Sequence, residues 1–100
     1  MIVRLTAEAE NDLEQIADYI AKDNPVRALS FVLELSQKCF GLADMHQAFP
    51  VVERYEQYGI RRRVHGQYLI FYRVEADQVV IIHVLHGSMD YAAILFDGLG

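Results

Sequence analysis

Between Ala9 and Ile20 the apolar side chains Ala9, Leu13, Ile16, Ala17 and Ile20 return at intervals of three and four, the spacing of a helix with one buried face. Upstream, Val3 and Leu5 predict a short opening strand. Thr6 is a suitable N-cap, and Glu8 and Glu10 stand where a helix dipole favours negative charge. Asp23-Asn24-Pro25 ends this helix and starts another, because Asn24 can cap and Pro25 at the first helical position gives up no needed hydrogen bond. The second helix is expected to run to about Ala43, with Ala28, Phe31, Val32, Leu35, Cys39 and Leu42 on its inner stripe. Two helices joined this tightly fold back as a hairpin.

From Asp44 to Gln57 no period is visible and Pro50 interrupts the chain, which predicts a long crossing connection. Beyond it the spacing changes. Ile60–Val64, Tyr68–Val74 and Val79–Leu85 are rich in β-branched and aromatic residues and are separated by His65-Gly66 and Ala76-Asp77. Loops this short join adjacent antiparallel strands. Ser88–Phe96 is either a final short helix or an irregular tail. The expected architecture is α+β: an N-terminal strand, an α-helical hairpin, then an antiparallel three-stranded meander with the helices packed on one sheet face.

One hundred residues, 53% apolar and 23% charged, suit one globular domain spanning 1–100 and exclude a disordered chain. Arg4 and the acidic stretch from Glu8 to Glu14 do not resemble an export signal. No run approaches the roughly 18 apolar residues that cross a bilayer. A cytoplasmic protein without a membrane partner is expected. The single cysteine, Cys39, lies at helical spacing from Leu35 and Leu42, so it reads as a packing residue and not a nucleophile.

The net charge of −5 argues against whole-surface attraction to nucleic acid. The distribution is uneven, however: residues 1–50 carry four basic and eight acidic side chains, whereas Tyr58–Arg73 contains Arg61, Arg62, Arg63 and Arg73 and no acid. On a strand Arg61 and Arg63 share one face. They are either solvated edge charges or, with Arg73, a surface that binds carboxylates of a partner. No metal site is expected, because His83 and His86 are three apart on a predicted strand, where odd separations point to opposite faces. His83, between Ile82 and Val84, reads as a hydrogen-bonded, semi-buried histidine; His46 and His65 fall in loops. Six tyrosines, Tyr19, Tyr55, Tyr58, Tyr68, Tyr72 and Tyr91, are divided between core and wettable surface.

Thr6-Ala7, Ala9, Asp12-Leu13, Ile16, Tyr19-Ile20, Asn24-Pro25 and Ala28 resemble the helical hairpin of the ParE/RelE toxin superfamily, and Phe49-Pro50 fits its connection. Gly59-Ile60-Arg61, Tyr68–Val74 and Val84-Leu85-His86-Gly87 are similar to its meander, so the likeness runs from Val3 to Phe96. The resemblance implies the toxin of a type II toxin-antitoxin (plasmid stabilisation) system, held inactive in a hetero-oligomeric complex with a cognate antitoxin and needing no cofactor. ParE-type members inhibit DNA gyrase and block replication; RelE-type members are ribosome-dependent endoribonucleases that cut mRNA. One scaffold supports both. The nuclease alternative would use Arg73 for charge and His86 and Tyr91 for proton transfer, but the chain ends Ile94–Gly100 without the terminal His-Tyr pair or basic cluster of those nucleases. The gyrase-inhibiting, non-enzymatic branch is therefore expected. Tyr19, beside Ile16 and Ile20, is the candidate groove for an antitoxin helix.

Overall fold

The computed structural model describes residues 1–96; the tail Asp97–Gly100, part of the expected non-nuclease signature, lies outside the described residues. In chain order the elements are β1 (Ile2–Leu5), α1 (Ala7–Ala21), α2 (Pro25–Phe40), α3 (Leu42–Met45), a 3-10 turn (Glu56–Tyr58), β2 (Arg61–His65), β3 (Tyr68–Glu75), β4 (Gln78–His86) and α4 (Tyr91–Phe96). The start signals act as expected. Thr6 Oγ1 accepts the Ala9 N–H at 3.1 Å, Asn24 Oδ1 accepts the Arg27 N–H at 3.0 Å, and Pro25 occupies the first position of α2. The second helix stops at Phe40, short of Ala43. Gly41 closes it by donating to Gln37 O at 2.9 Å, and the remaining turn forms separately as α3.

The four strands lie in the order β1-β4-β3-β2, with β2, β3 and β4 antiparallel as the meander demands. β1 pairs parallel to β4, Ile2 opposite Gln78 and Leu5 opposite Ile81, a long-range pairing that hydrophobic spacing alone does not specify. Ala9, Leu13 and Ile16 of α1 and Leu35 and Cys39 of α2 are buried with Ile70, Tyr72, Val79, Ile81 and Val84 on one sheet face. The opposite face is not left bare. Val52 and Ile60 from the connection and Leu95 and Phe96 from α4 cover Leu69, Phe71 and Leu85, so the hairpin takes one face and the short last helix the other. Phe96 stacks on Tyr55, ring centroids 3.9 Å apart and 11° from parallel. The buried Tyr72 phenol donates to the His46 carbonyl at 2.7 Å, and burial pushes its pKa upwards, opposed by the nearby Arg61 and Arg63.

Where β3 meets β4 the register slips: Tyr72 is opposite Ile81 but Phe71 is opposite His83, leaving Ile82 as an extra residue. This bulge falls where β1 runs out. β4 spans nine residues and β1 four, so the chain must cover β4's outer edge by other means. Thr6 does so first, its N–H donating to Ile81 O at 3.0 Å and its hydroxyl to Ile82 O at 2.9 Å. Asp12 follows from the second turn of α1: one carboxylate oxygen accepts both the Val84 N–H at 2.9 Å and the His83 Nδ1–H at 2.8 Å.

Asp12→Ala strands two donors that are shielded from water, and equilibrium urea unfolding is expected to show a loss of about 1–3 kcal/mol, with Asp12→Asn losing less. Burial raises the Cys39 thiol to about 12, so an aromatic disulfide reagent at pH 8 is expected to leave the native protein unlabelled and to label it only as it unfolds.

Candidate functional site

Beyond Val84 the outer edge of β4 meets no strand, and there a groove of about 570 Å³ opens between α1, β4 and the segment leading into α4. Its floor and walls include Asp12, Ile16, Tyr19, Tyr68, His83 and Met89. Ile16 belongs to the core stripe and also lines the groove, because Tyr19 three residues on leaves the body of the protein and is 68% exposed. Ile20, the third residue expected here, turns inwards against the core and does not line the groove. Tyr68 is held under Phe31 with centroids 5.4 Å apart, and burial, then the neighbouring Tyr19 phenol, raises its pKa.

His83 and His86 both line this groove although strict alternation from 83 to 86 keeps them on opposite sheet faces, His83 opposite Phe71 and His86 opposite Tyr68. Val84 and Leu85 between them line it too, because the groove runs along the outer edge of the strand and is open to both faces. Each ring is already engaged. His83 is held by Asp12, whereas His86 Nδ1 accepts from the Ser88 N–H at 3.1 Å and lies 2.7 Å from the Ser88 hydroxyl, leaving Nε2–H to donate to Gln67 Oε1 at 3.0 Å. Among the described residues no group of three or more His, Cys, Asp or Glu is placed to hold a metal ion.

The arginines part company. Arg61 donates to the Phe49 carbonyl, and Arg63 donates to the Lys38 carbonyl in the last turn of α2 at 3.0 Å while its guanidinium lies 4.7 Å from the centre of the Phe49 ring. Arg61 therefore ties the connection from α3 to β2 back onto β2, and Arg63 ties β2 to the end of α2 and to the connection through Phe49. Arg73 stands apart from them, half-exposed and paired with Glu75 at 2.7 Å. Arg62, on the other side of β2, reaches a second cleft of about 490 Å³ lined also by Arg54, Tyr55 and Tyr91, and its guanidinium is 3.5 Å from the Tyr91 hydroxyl. His65 instead joins Glu34 at 3.1 Å, and hydrogen bonds from Arg27 and His65 hold the Glu34 carboxyl below its ordinary pKa.

The three residues of the nuclease alternative are not brought together. Arg73 is opposite Val80 and His86 opposite Tyr68, five positions apart along β3 or about 17 Å. His86 lines the first groove, Tyr91 the second cleft, and Arg73 neither. Asp12, Tyr68 and Met89 were not expected in a site. Asp12 could have been found from its spacing: a carboxylate four residues before Ile16 and three after Ala9 sits on the apolar stripe, where a buried charge needs a partner.

The fold is a small α+β domain with a groove along one strand edge, and the sequence places it in a family. Residues 3–91 match the ParE toxin of type II toxin-antitoxin system, parDE; the chain belongs to this family. No protein of curated function matches it at a significant level. Among solved structures, it is similar to a chain of the chromosomal ParDE toxin-antitoxin system from P. aeruginosa, with a TM-score of 0.71 and 21% identity over 86% of this chain and 95% of that one. It is also similar to a chain of the RelBE2 toxin-antitoxin complex from Mycobacterium tuberculosis, with a TM-score of 0.64 and 25% identity over 85% of this chain and 95% of the other. Among the described residues no helix is long and apolar enough to cross a membrane.

Because Arg63 fastens the connection and Arg62 does not, Arg63→Ala is expected to lose about 1–2 kcal/mol in chemical unfolding. Arg62→Ala is expected to stay within about 0.5 kcal/mol of the parent in the same measurement.

Proposed function

We propose that this chain is a one-domain intracellular toxin that disables DNA gyrase by binding it, and that a cognate antitoxin silences it by seating apolar side chains in the groove between α1 and β4. The observation that carries the antitoxin half is the groove itself: an uncovered stretch of β4 edge beside the outward-turned Tyr19, with Ile16, Tyr68 and Met89 providing apolar walls and Asp12, His83 and His86 a polar floor. Such a surface takes an amphipathic segment, and tyrosine tolerates both the empty and the filled state. The two similar solved chains come from a ParDE system and a RelBE2 complex, which supports an antitoxin as the natural occupant.

The non-enzymatic half is supported by the separation of Arg73 from His86 and Tyr91 and by the hydrogen bonds that occupy both nitrogens of His86. Acid-base cleavage of RNA needs its proton carriers around one phosphate. Of the three arginines expected to dock a partner, Arg73 keeps its charge at the surface, and we assign it to the gyrase-facing side; Arg61 and Arg63 contribute by holding the surface in shape.

Purified toxin added to a gyrase supercoiling assay is expected to stop the reaction. In parallel, mRNA on translating ribosomes is expected to remain intact by primer extension. Cleaved message with unaffected gyrase would sink this reading in favour of the RelE-type endoribonuclease, and silence in both assays would indicate a member that has lost toxicity. Tyr19→Glu is expected to weaken antitoxin capture tenfold or more by calorimetry while gyrase inhibition is retained, and Arg73→Glu to do the reverse.

A further inference from the structure

The floor of the groove between α1 and β4 holds a carboxylate that the fold does not balance with a lysine or arginine. Among the described residues, no Lys or Arg lines the groove, and the Asp12 side chain is only 13% exposed. Its Oδ2 accepts both the Val84 N–H at 2.9 Å and the His83 Nδ1–H at 2.8 Å. A carboxylate can only accept, so Nδ1 carries the proton, and the neutral ring then keeps a lone pair on Nε2. Among the described residues no hydrogen bond reaches Asp12 Oδ1 or His83 Nε2, and neither atom is buried. Two acceptors, one of them charged, are therefore open at the groove floor. Asp12 works twice: it closes the β4 edge and it charges the groove.

We infer that Asp12 and His83 form the receptor for one arginine side chain of the segment that fills the groove, an inference that rests on reading the groove as the antitoxin's seat. The chemistry of the floor excludes the other occupants. An acidic side chain would bring like charge to Asp12, and an apolar one would seal a carboxylate oxygen from water without a partner. A hydroxyl or backbone N–H satisfies one acceptor and leaves the charge standing. A metal ion needs more ligands, and among the described residues no third His, Cys, Asp or Glu joins these two. A guanidinium presents several N–H groups in one plane, so it can donate to Asp12 Oδ1 and His83 Nε2 together and balance the charge. Ile16, Tyr68 and Met89 line the same groove and give the aliphatic stem of such a residue an apolar wall while its head meets the floor. The exposed Glu14 and Asp18 of α1 add potential of the same sign along the approach.

Nitrogen NMR of the free, full-length chain at about pH 7.5 is expected to show His83 protonated at Nδ1 and bare at Nε2, with His83→Gln assigning the signal. Titration with N-acetyl-arginine amide, at the millimolar concentrations a single contact requires, is expected to move the His83 Nε2 resonance. The citrulline analogue, which has the same shape without the charge, is expected to leave it in place. An imidazolium at His83 in the free chain, no movement with the arginine amide, or equal movement with citrulline would each overturn the inference. With the antitoxin, Asp12→Asn is expected to lower affinity roughly thirtyfold or more by calorimetry while keeping the parent's circular dichroism. One antitoxin arginine changed to glutamine is expected to cost as much against the parent and nothing further against Asp12→Asn. Full additivity for every antitoxin arginine would overturn the inference. So would an affinity lowered by Tyr19→Glu but not by Asp12→Asn, whereas an affinity untouched by either variant would overturn the groove reading itself.

Discussion

The outer edge of β4 is the constraint on which the rest of the structure depends. A buried strand must have its backbone N–H and C=O groups satisfied on both sides, and β1 is long enough to serve only Gln78 to Ile81. The chain completes the task with side chains of the helix that follows: Thr6 takes Ile82 and Asp12 takes Val84. Because the covering group changes from strand to helix at this point, the bulge at Ile82 is accommodated, α1 is fixed across the sheet, and the last residues of β4 remain open to form the groove. One arrangement thus sets the register of the sheet, the seat of the hairpin and the position of the groove.

Polar residues elsewhere perform the same kind of work. Arg61 and Arg63 look like a docking patch when counted as charges, yet their donors are directed to carbonyls at Phe49 and Lys38. They fasten a stretch of chain with little regular structure, and Tyr72 adds a third tie at His46. A cluster of charge in the sequence therefore does not by itself mark an open charged surface. What the fold leaves open is instead the groove beside Tyr19, while the half-exposed Arg73 is paired with Glu75.

Much of the secondary structure was legible because it is set by neighbours along the chain. The three-and-four spacing of Ala9, Leu13 and Ile16, the caps at Thr6 and Asn24, and the short turns at Gly66 and Ala76 act over a few residues, and each appears where its local chemistry places it. Likewise Cys39 is buried where its helical spacing from Leu35 puts it. The family was legible for a related reason, since the order of these local signals from Val3 onwards is itself specific.

The sequence by itself determined the elements, their order and the antiparallel meander, because hydrophobic period, capping and loop length act locally. Tertiary structure alone decided that β1 lies parallel to β4, that Ile82 is extruded, that His83 and His86 share a groove, and that Arg73, His86 and Tyr91 do not meet. Those outcomes depend on which distant backbone groups compete for the same donors and acceptors. Asp12 and Val84 are 72 residues apart, and no periodicity along the chain encodes a contact whose cause is an unpaired strand edge.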